Sequence, residues 1–499
     1  MNLIKRIAGD TAIYGLSTVV GRLLNYLLVP IHTYSTIIST GAYGDTGVLY
    51  SWVALLMVVL TYGFETSFFR FASNSNHKTK VYGTAMFSYI ITSSIFFVVV
   101  FFNAENISAL LKIPEHPNYV KWFAAILLFD VLASIPFANL RLEGKAMKFA
   151  TLKSVNICVN VFFNIFFLIV CPFFISKEIA TEFISKIYNP DVGIGYIFIA
   201  NLLASAVALL LLLPQILKHK IKFDSSTFNK MWKYAWPLLL VGIAAMVNEV
   251  LDRILLQYYL PGSDEEVKTQ IGIYNACYKL AILIALFTQA YRMAVEPMFF
   301  KLSDKCNSKK DYAQMMHLYL LVAGFALLVV VFFLDVFQYF IGEAFRVGLN
   351  VVPILLFAYL FLGLYYNLSV WYKVTDKTKF AIIMSFAGAF VTVVLNILLI
   401  PKIGYLGSAW ATFAAFLVMT ILSYLFSNAH YKIPYKLPQI LTLLVLLVAF
   451  TRINYVLNFD GFVNYSFKVF LLLIYLFVAK QLLFKELQLK DFKNGISNS

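Results

Sequence analysis

The sequence is poor in charge. Only 13% of its 499 residues are Asp, Glu, Lys or Arg, about half the roughly 25% usual in a soluble globular chain. That scarcity excludes a soluble enzyme. It also excludes a disordered chain, which carries polarity and net charge where this one carries apolar residues. Cysteine is scarce as well: Cys158, Cys171, Cys277 and Cys306 are the full set, and no C-x-x-C spacing occurs. Neither a disulfide framework nor a zinc site is readable. The first three lie in apolar stretches, where a thiol behaves as a small hydrophobe. The six histidines are dispersed. No H-E-x-x-H pair and no Walker-type phosphate loop is present, which argues against metal-dependent hydrolysis and direct ATP use. The opening MNLIKRIAGDTAIYG does not read as a cleavable signal, because polar residues interrupt its apolar run and no small-residue cleavage site follows.

What the chain has in abundance is apolar length: 61% of the residues are hydrophobic. A bilayer crossing uses roughly 20 apolar residues. Fourteen spans are read, at about 10–33, 46–70, 81–102, 119–140, 150–174, 192–214, 234–260, 271–299, 314–340, 351–372, 380–400, 405–427, 437–453 and 464–484. The runs are continuous rather than alternating, which indicates helices and not a barrel. The expected fold is therefore an all-α polytopic membrane protein with short connections.

The net charge of +15 is explained by topology. With a cytoplasmic N-terminus, the cytoplasmic loops and termini collect 25 of the 40 basic residues and the opposite side 8. That satisfies the positive-inside rule, places both termini in the cytoplasm and removes the case for a nucleic-acid partner. Seven basic residues remain inside or at the edges of spans: Arg22, Arg70, Lys153, Arg253, Lys279, Arg292 and Lys468. Each costs roughly 2.5–3.5 kcal/mol at a helix centre, so such residues face a bundle interior or a water-filled cavity.

The chain also repeats itself. Lys148-Phe149-Ala150 followed by Asn164 in the fifth span matches Lys379-Phe380-Ala381 followed by Asn396 in the eleventh. Tyr43-Gly44 before the second span matches Ile271-Gly272 at the eighth. The shift is about six spans, an even number, so both copies insert with one orientation. This gives two pseudo-symmetric six-helix lobes, 1–220 and 221–430, around a central cavity, followed by two further helices and a basic tail over 431–499. The segment 175–190 interrupts the first copy and reads as a short interfacial amphipathic helix.

The segment NILLIPKIGYLGSAWAT (396–412) is similar to the N-x-x-L-x-P-x-x-G-x-x-G-A-x-x-A-T turn of the multidrug/oligosaccharidyl-lipid/polysaccharide exporter superfamily. Asn and Pro are expected to end one helix, the glycines to permit tight re-entry and the small residues to let the next helix pack closely. Thr18-Val-Val-Gly21-Arg22-Leu-Leu, followed by Tyr43-Gly44, resembles the first helix of the same superfamily and the start of its second. Within it the chain most resembles the bacterial polysaccharide and O-antigen repeat-unit flippases. The resemblance implies alternating access and the transfer of an anionic polyprenyl-diphosphate oligosaccharide from the inner to the outer leaflet of the bacterial cytoplasmic membrane. It implies a place beside a glycan polymerase and glycosyltransferases, with no enzymatic activity and no cofactor. Na⁺ or H⁺ coupling stays open. A peptidoglycan lipid-precursor flippase, a multidrug or organic-cation exporter, and a membrane-embedded glycan polymerase or acyltransferase are the alternatives.

Polar stripes at helical spacing supply the candidate site. The first span carries Thr11, Gly15, Thr18, Arg22 and Asn25; the fifth carries Lys153, Asn156, Asn160 and Asn164; the eighth carries Asn275, Lys279, Gln289, Arg292 and Glu296. Arginine suits phosphate through its planar fork, and amides suit sugar hydroxyls. The substrate-facing candidates are Arg22, Asn25, Arg70, Lys153, Asn156, Asn160, Lys279, Gln289 and Arg292. Glu65, Asp252, Arg253 and Glu296 are candidates for a coupling ion or for gate salt bridges. Glu249–Arg253 and Arg292–Glu296, each at i,i+4, are spaced to pair along their helices. Lys468 is expected to be structural. The aromatics of the tenth span (Tyr359, Phe361, Tyr365, Tyr366, Trp371 and Tyr372) are expected in an interface belt or against lipid.

Overall fold

The computed structural model describes residues 19–73, 78–179, 181–302, 308–457, 459 and 461–484. Thr11, Gly15 and Thr18 of the expected first stripe lie outside the described residues, as do Cys306 and the basic tail with Lys485, Lys490 and Lys493. Among the described residues the chain forms fourteen principal helices, counted through local irregularities: α1 (19–33), α2 (Thr40–Ser73), α3 (Lys78–Phe102), α4 (Pro117–Leu142), α5 (Ala146–Ser176), α6 (Gly195–Leu217), α7 (Ser225–Tyr259), α8 (Asp264–Leu302), α9 (Ser308–Phe332), α10 (Val351–Val374), α11 (Lys379–Ile403), α12 (Tyr405–His430), α13 (Leu437–Val456) and α14 (Gly461–Phe484). Twelve helices among the described residues are long and apolar enough to cross a membrane. The expected seventh span falls, except for its last residue, within the 35-residue α7. A short helix, Thr181–Ile187, occupies the segment read as interfacial.

Local chemistry explains the boundaries. Ser39 caps α2 by accepting from the Ala42 amide at 3.1 Å. Asp224 caps α7 by accepting from the Thr227 amide at 2.8 Å, satisfying a donor the first turn leaves open. Pro117 and Pro438 sit in the first turns of α4 and α13, where a missing N–H costs nothing. In α2 the left-handed pair Tyr62 and Gly63 breaks the helical run. In α5 a π turn, Phe166–Val170, stands ahead of Pro172, whose ring cannot sit under a regular i−4 carbonyl. The 396–412 turn departs from expectation in one respect. The helix does not end at Asn396 or Pro401 but runs to Ile403 and stops at Gly404, whose φ is +63°. Gly407 then lies against the Leu399–Ile400 backbone, where a methyl group would have no room.

The chain divides into two compact units. The first holds the chain up to Ala276 with Ile341–Val347 and Thr392–Ser408. Within it α6 packs on α4 and α5, α3 on α4, and α2 on α7. Its core is aromatic, with Phe64, Phe68, Tyr82 and Tyr89 almost fully buried. The closest approach joins α2 to α8. A methyl group on Gly44 would overlap the Lys268 carbonyl oxygen, and one on Gly272 would overlap that of Thr40; each glycine also faces the other's backbone nitrogen. These are the two glycines matched by the internal repeat. Asn275 fills the space beside Gly47 on the same crossing.

The second unit holds Cys277–Phe340, Gly348–Val391 and the chain from Ala409 onward. There α9 packs on α10, α13 and α14. The Tyr475 hydroxyl presses on Gly324 and donates to the Leu320 carbonyl at 2.9 Å. The tenth-span aromatics are not lipid-facing: Tyr359, Tyr365, Trp371 and Tyr372 are buried. Trp371 belongs to a core with Phe299, Tyr312 and Ile433, because neighbouring helices enclose it. Lys468 is buried and reaches Asp335 at 3.5 Å, a structural pairing.

Gly272→Val and Gly44→Val should both abolish a monodisperse peak in size-exclusion chromatography of detergent-solubilised protein. Gly41→Ala should not, because its methyl group meets only ordinary contacts from 3.5 Å outward. Equal behaviour of all three would show that the crossing tolerates separation.

Candidate functional site

Within the first unit, α1 and α5 carry a ladder of amides. Asn160 donates to Asn25 Oδ1 at 3.2 Å, Asn164 donates to Asn160 Oδ1 at 3.1 Å, and His32 Nε2 lies 2.8 Å from Asn164 Oδ1. Arg22 and Asn25 are exposed on α1. Asn156 leaves this ladder and donates to the Ala204 carbonyl on α6 at 2.9 Å, so it ties two helices together. Lys153 lies over the Phe137 ring at 4.3 Å and within electrostatic reach of Asp130 on α4.

The candidate gate residues of this unit are paired. Glu65 on α2 meets Arg141 on α4, and Arg141 also faces the rings of Phe69 and Phe149. Arg70 turns away from that pair and stacks on Tyr234 at 4.4 Å, as five-residue spacing from Glu65 requires. Asp252 and Arg253 are 3% and 6% exposed. Arg253 bonds the Asp252 carboxylate at 3.3 Å and the Glu249 backbone carbonyl at 3.0 Å. The Tyr274 hydroxyl donates to the other Asp252 oxygen at 2.6 Å. Asn248, one turn away, accepts from Thr392 at 3.0 Å.

Within the second unit, Arg292 lies over the Tyr366 ring at 4.8 Å and 3.9 Å from Glu296, the pairing its spacing suggested. Glu296 also takes Lys373 of α10 at 2.5 Å. This trio holds two positive charges against one negative, all partly exposed. Three residues before Arg292, Gln289 is half-buried, as is Lys279 further along α8. Behind them Tyr291 sits between the Asn367 side-chain oxygen at 2.7 Å and the Met315 carbonyl at 2.8 Å, which fixes α8 against α9 and α10.

Sequence reasoning missed the strongest ionic hub. Glu143, just past α4, accepts from Lys78 at 3.2 Å, Asn139 at 3.2 Å and Gln215 at 3.3 Å, and pairs with Lys145 at 2.6 Å. Asn139 in turn lies 3.2 Å from His219 Nε2, whose ring packs on Tyr82. The lysines had been read only as a topology signal. Burial pushes the Glu143 carboxyl up, but the hydrogen bonds and charges of Lys145 and Lys78 outweigh it and hold the group at about 2. Burial pushes the His219 imidazole down, against the pull of Glu143. The hub joins the ends of α3, α4 and α6 at one end of the bundle.

The arrangement defines a class: a polytopic helical membrane protein with cationic and amide-bearing helix faces. Solved structures share its fold. The lipid II flippase MurJ in an inward closed conformation matches with a TM-score of 0.70 at 16% identity, over 95% of this chain and 99% of its own. An inward-facing multidrug resistance MATE family transporter of the MOP superfamily gives 0.61 at 13%, over 86% and 98%. A MOP superfamily transporter from Pyrococcus furiosus gives 0.57 at 12%, over 84% and 95%. At these identities the likeness defines the fold, that of MOP-superfamily transporters. No curated protein sequence matches the chain. The family model described as "Polysaccharide biosynthesis protein" matches residues 7–303, more than half of the sequence, and the chain belongs to that family.

The ionic hub makes a pH prediction. A carboxyl held near 2, below its ordinary 4.5, contributes stability that is present above pH 4.5 and lost as pH falls toward 2. Glu143→Gln should therefore lower the unfolding temperature at pH 7, followed by intrinsic fluorescence, and the gap to wild type should close between pH 4.5 and 2. A gap that stays constant across that window would show that the ion pairs contribute nothing.

Proposed function

We propose that the protein is a flippase. It moves an anionic polyprenyl-diphosphate-linked oligosaccharide from the inner to the outer leaflet of a bacterial cytoplasmic membrane, by alternating access, for cell-surface polysaccharide synthesis. Membership of the polysaccharide biosynthesis family supports the substrate class. The observation that carries the chemistry is the placing of cations beside amides or aromatic faces on separate helix surfaces: Arg22 exposed on α1, three residues before the Asn25 that accepts from Asn160 of α5, and Arg292 over Tyr366 with Gln289 three residues before it on α8.

The barrier to translocation is the headgroup. Sugar hydroxyls lose hydrogen bonds in hydrocarbon, and an unscreened diphosphate is far costlier to bury. In this reading Arg22, Lys153, Lys279 and Arg292 offset the phosphate charge, while Asn25, Asn160 and Gln289 replace the waters of the sugar. The polyprenyl tail stays in lipid throughout. Glu65 with Arg141 and Glu296 with Lys373 serve as latches, since ion pairs at helix ends can open and reform at small net cost. A membrane potential, inside negative, supplies about 2.3 kcal/mol per charge per 100 mV. Two outward-moving negative charges therefore gain roughly 4.6 kcal/mol, and inward exchange of Na⁺ or H⁺ would add to this. A glycan polymerase and glycosyltransferases are the expected functional neighbours.

Arg22→Ala and Arg292→Ala should each reduce surface polysaccharide by at least about tenfold, the effect of losing one charge-assisted phosphate contact, with protein levels unchanged by immunoblot and cell shape intact. Normal surface polysaccharide in both variants would overturn the cationic assignment. Lysis in place of glycan loss would point to a peptidoglycan precursor as the cargo.

A further inference from the structure

At the end of the first unit where α2 finishes and α7 begins, an open depression of about 290 Å³ is lined by Arg70, Phe71, Lys230, Lys233 and Tyr234. Its volume is several times the roughly 30 Å³ that one water occupies in the liquid, so it has room for a phosphate ester rather than a small ion alone. Lys230, Lys233 and Tyr234 follow i, i+3, i+4 and share one face of α7. Arg70 is held in place by stacking on Tyr234 at 4.4 Å, and Phe71 meets the same ring edge-on. Four nearby cations of this unit hold a carboxylate: Lys78 and Lys145 take Glu143, Lys80 takes Asp224 and Arg141 takes Glu65. Arg70, Lys230 and Lys233 make no ion pair with any described acidic residue. Three uncompensated cations around two rings form a site for a polyanion.

A second observation selects the kind of anion. On α7, three and seven residues beyond Lys233 and therefore on its face of the helix, Trp236 and Leu240 are 48% and 39% exposed. They continue that face as an apolar stripe running from the cationic site toward the middle of the helix. Tryptophans of this kind settle at the headgroup level of a bilayer. A cationic head site continued by an apolar stripe matches a lipid with a charged headgroup and an acyl chain, and a soluble phosphate would use only the upper half of it.

We propose that this depression docks the phosphate headgroup of an anionic membrane phospholipid, with Arg70, Lys230 and Lys233 on the phosphate and Trp236 and Leu240 along the chain. On this reading Arg70, a substrate-facing candidate by sequence, serves the lipid headgroup instead.

The test is native mass spectrometry of the full-length purified protein with added phosphatidylglycerol or phosphatidylcholine. Phosphatidylglycerol should be retained and phosphatidylcholine largely lost. The triple variant Arg70→Gln, Lys230→Gln, Lys233→Gln should lower phosphatidylglycerol retention at least about tenfold, as expected for three cations beside an anionic headgroup. The charge-matched control Lys218→Gln, Lys220→Gln, Lys222→Gln should retain it nearly as wild type does. In the unmodified protein, brominated phosphatidylglycerol should quench tryptophan emission. Replacing Trp236 by Phe should remove a large part of that quenching, replacing Trp232, whose ring packs on Tyr62, Phe64 and Phe228, should remove less, and sodium diphosphate should fail to reverse it. Equal loss in both triple variants, equal retention of the two lipids, or reversal by diphosphate would overturn the proposal: the first two would reduce the patch to general surface charge, the third to a soluble-anion site.

Discussion

A charge carried on a helix in hydrocarbon must find water, a counter-charge or the face of an aromatic ring, because the bilayer offers nothing else. That requirement sorts the basic residues of this chain. Arg253 is satisfied by Asp252 and a backbone carbonyl, Lys268 by Asp45 at 3.3 Å, and Lys468 by Asp335. Lys153 and Arg292 rest on Phe137 and Tyr366. Cation–π contact of this kind lowers the cost of placing a charge among apolar helices without consuming the charge. A guanidinium on a ring still presents its fork to an incoming phosphate, whereas one closed around a carboxylate does not. The distinction separates residues that hold the bundle together from residues able to serve a ligand.

The same sorting explains how a polytopic membrane protein of this family can be made from so few charges. Amides contribute much of the polarity. Asn164 and Asn396, at matching places in the repeat, both donate back to a carbonyl one turn earlier, that of Asn160 at 2.8 Å and of Thr392 at 2.7 Å. Each then offers its oxygen to a neighbour: His32 lies against the first at 2.8 Å, and Ser408 donates to the second at 2.7 Å. A back-bonded asparagine satisfies its own donor locally and keeps an acceptor for the adjacent helix. It can therefore be buried at little cost and still fix a helix pair.

Much of the architecture was legible because bilayer physics writes itself into composition. The approximate limits of the helices followed from apolar runs alone, although among the described residues twelve rather than fourteen are long and apolar enough to cross a membrane. The repeat was visible in Gly44 with Gly272 and Asn164 with Asn396, and the structure gives each pair a matching local role. What was not legible was partnership. Arg141 counts in the sequence only toward the charge asymmetry of the loops and Glu143 carries no signal there, yet one closes on Glu65, 76 positions away, and the other gathers Lys78 and Gln215, 65 and 72 positions away. The Asp252–Arg253 contact joins neighbours that helical spacing puts about 100° apart, so the periodicity argument favoured Glu249. The tenth-span aromatics were misread because an aromatic run has the same composition whether it faces lipid or a core; only the packing of neighbouring helices around Trp371 distinguishes the two.

The π turn of α5 has a consequence for how such a helix can change. It inserts one residue beyond α-helical register between Asn164 and Pro172. Rewinding Phe166–Val170 from π to α without losing a residue would turn everything beyond it by about 100°, while Asn156, Asn160 and Asn164 kept their azimuth. One local change of winding would therefore re-aim Cys171–Ser176 and leave the amides of the other half in place.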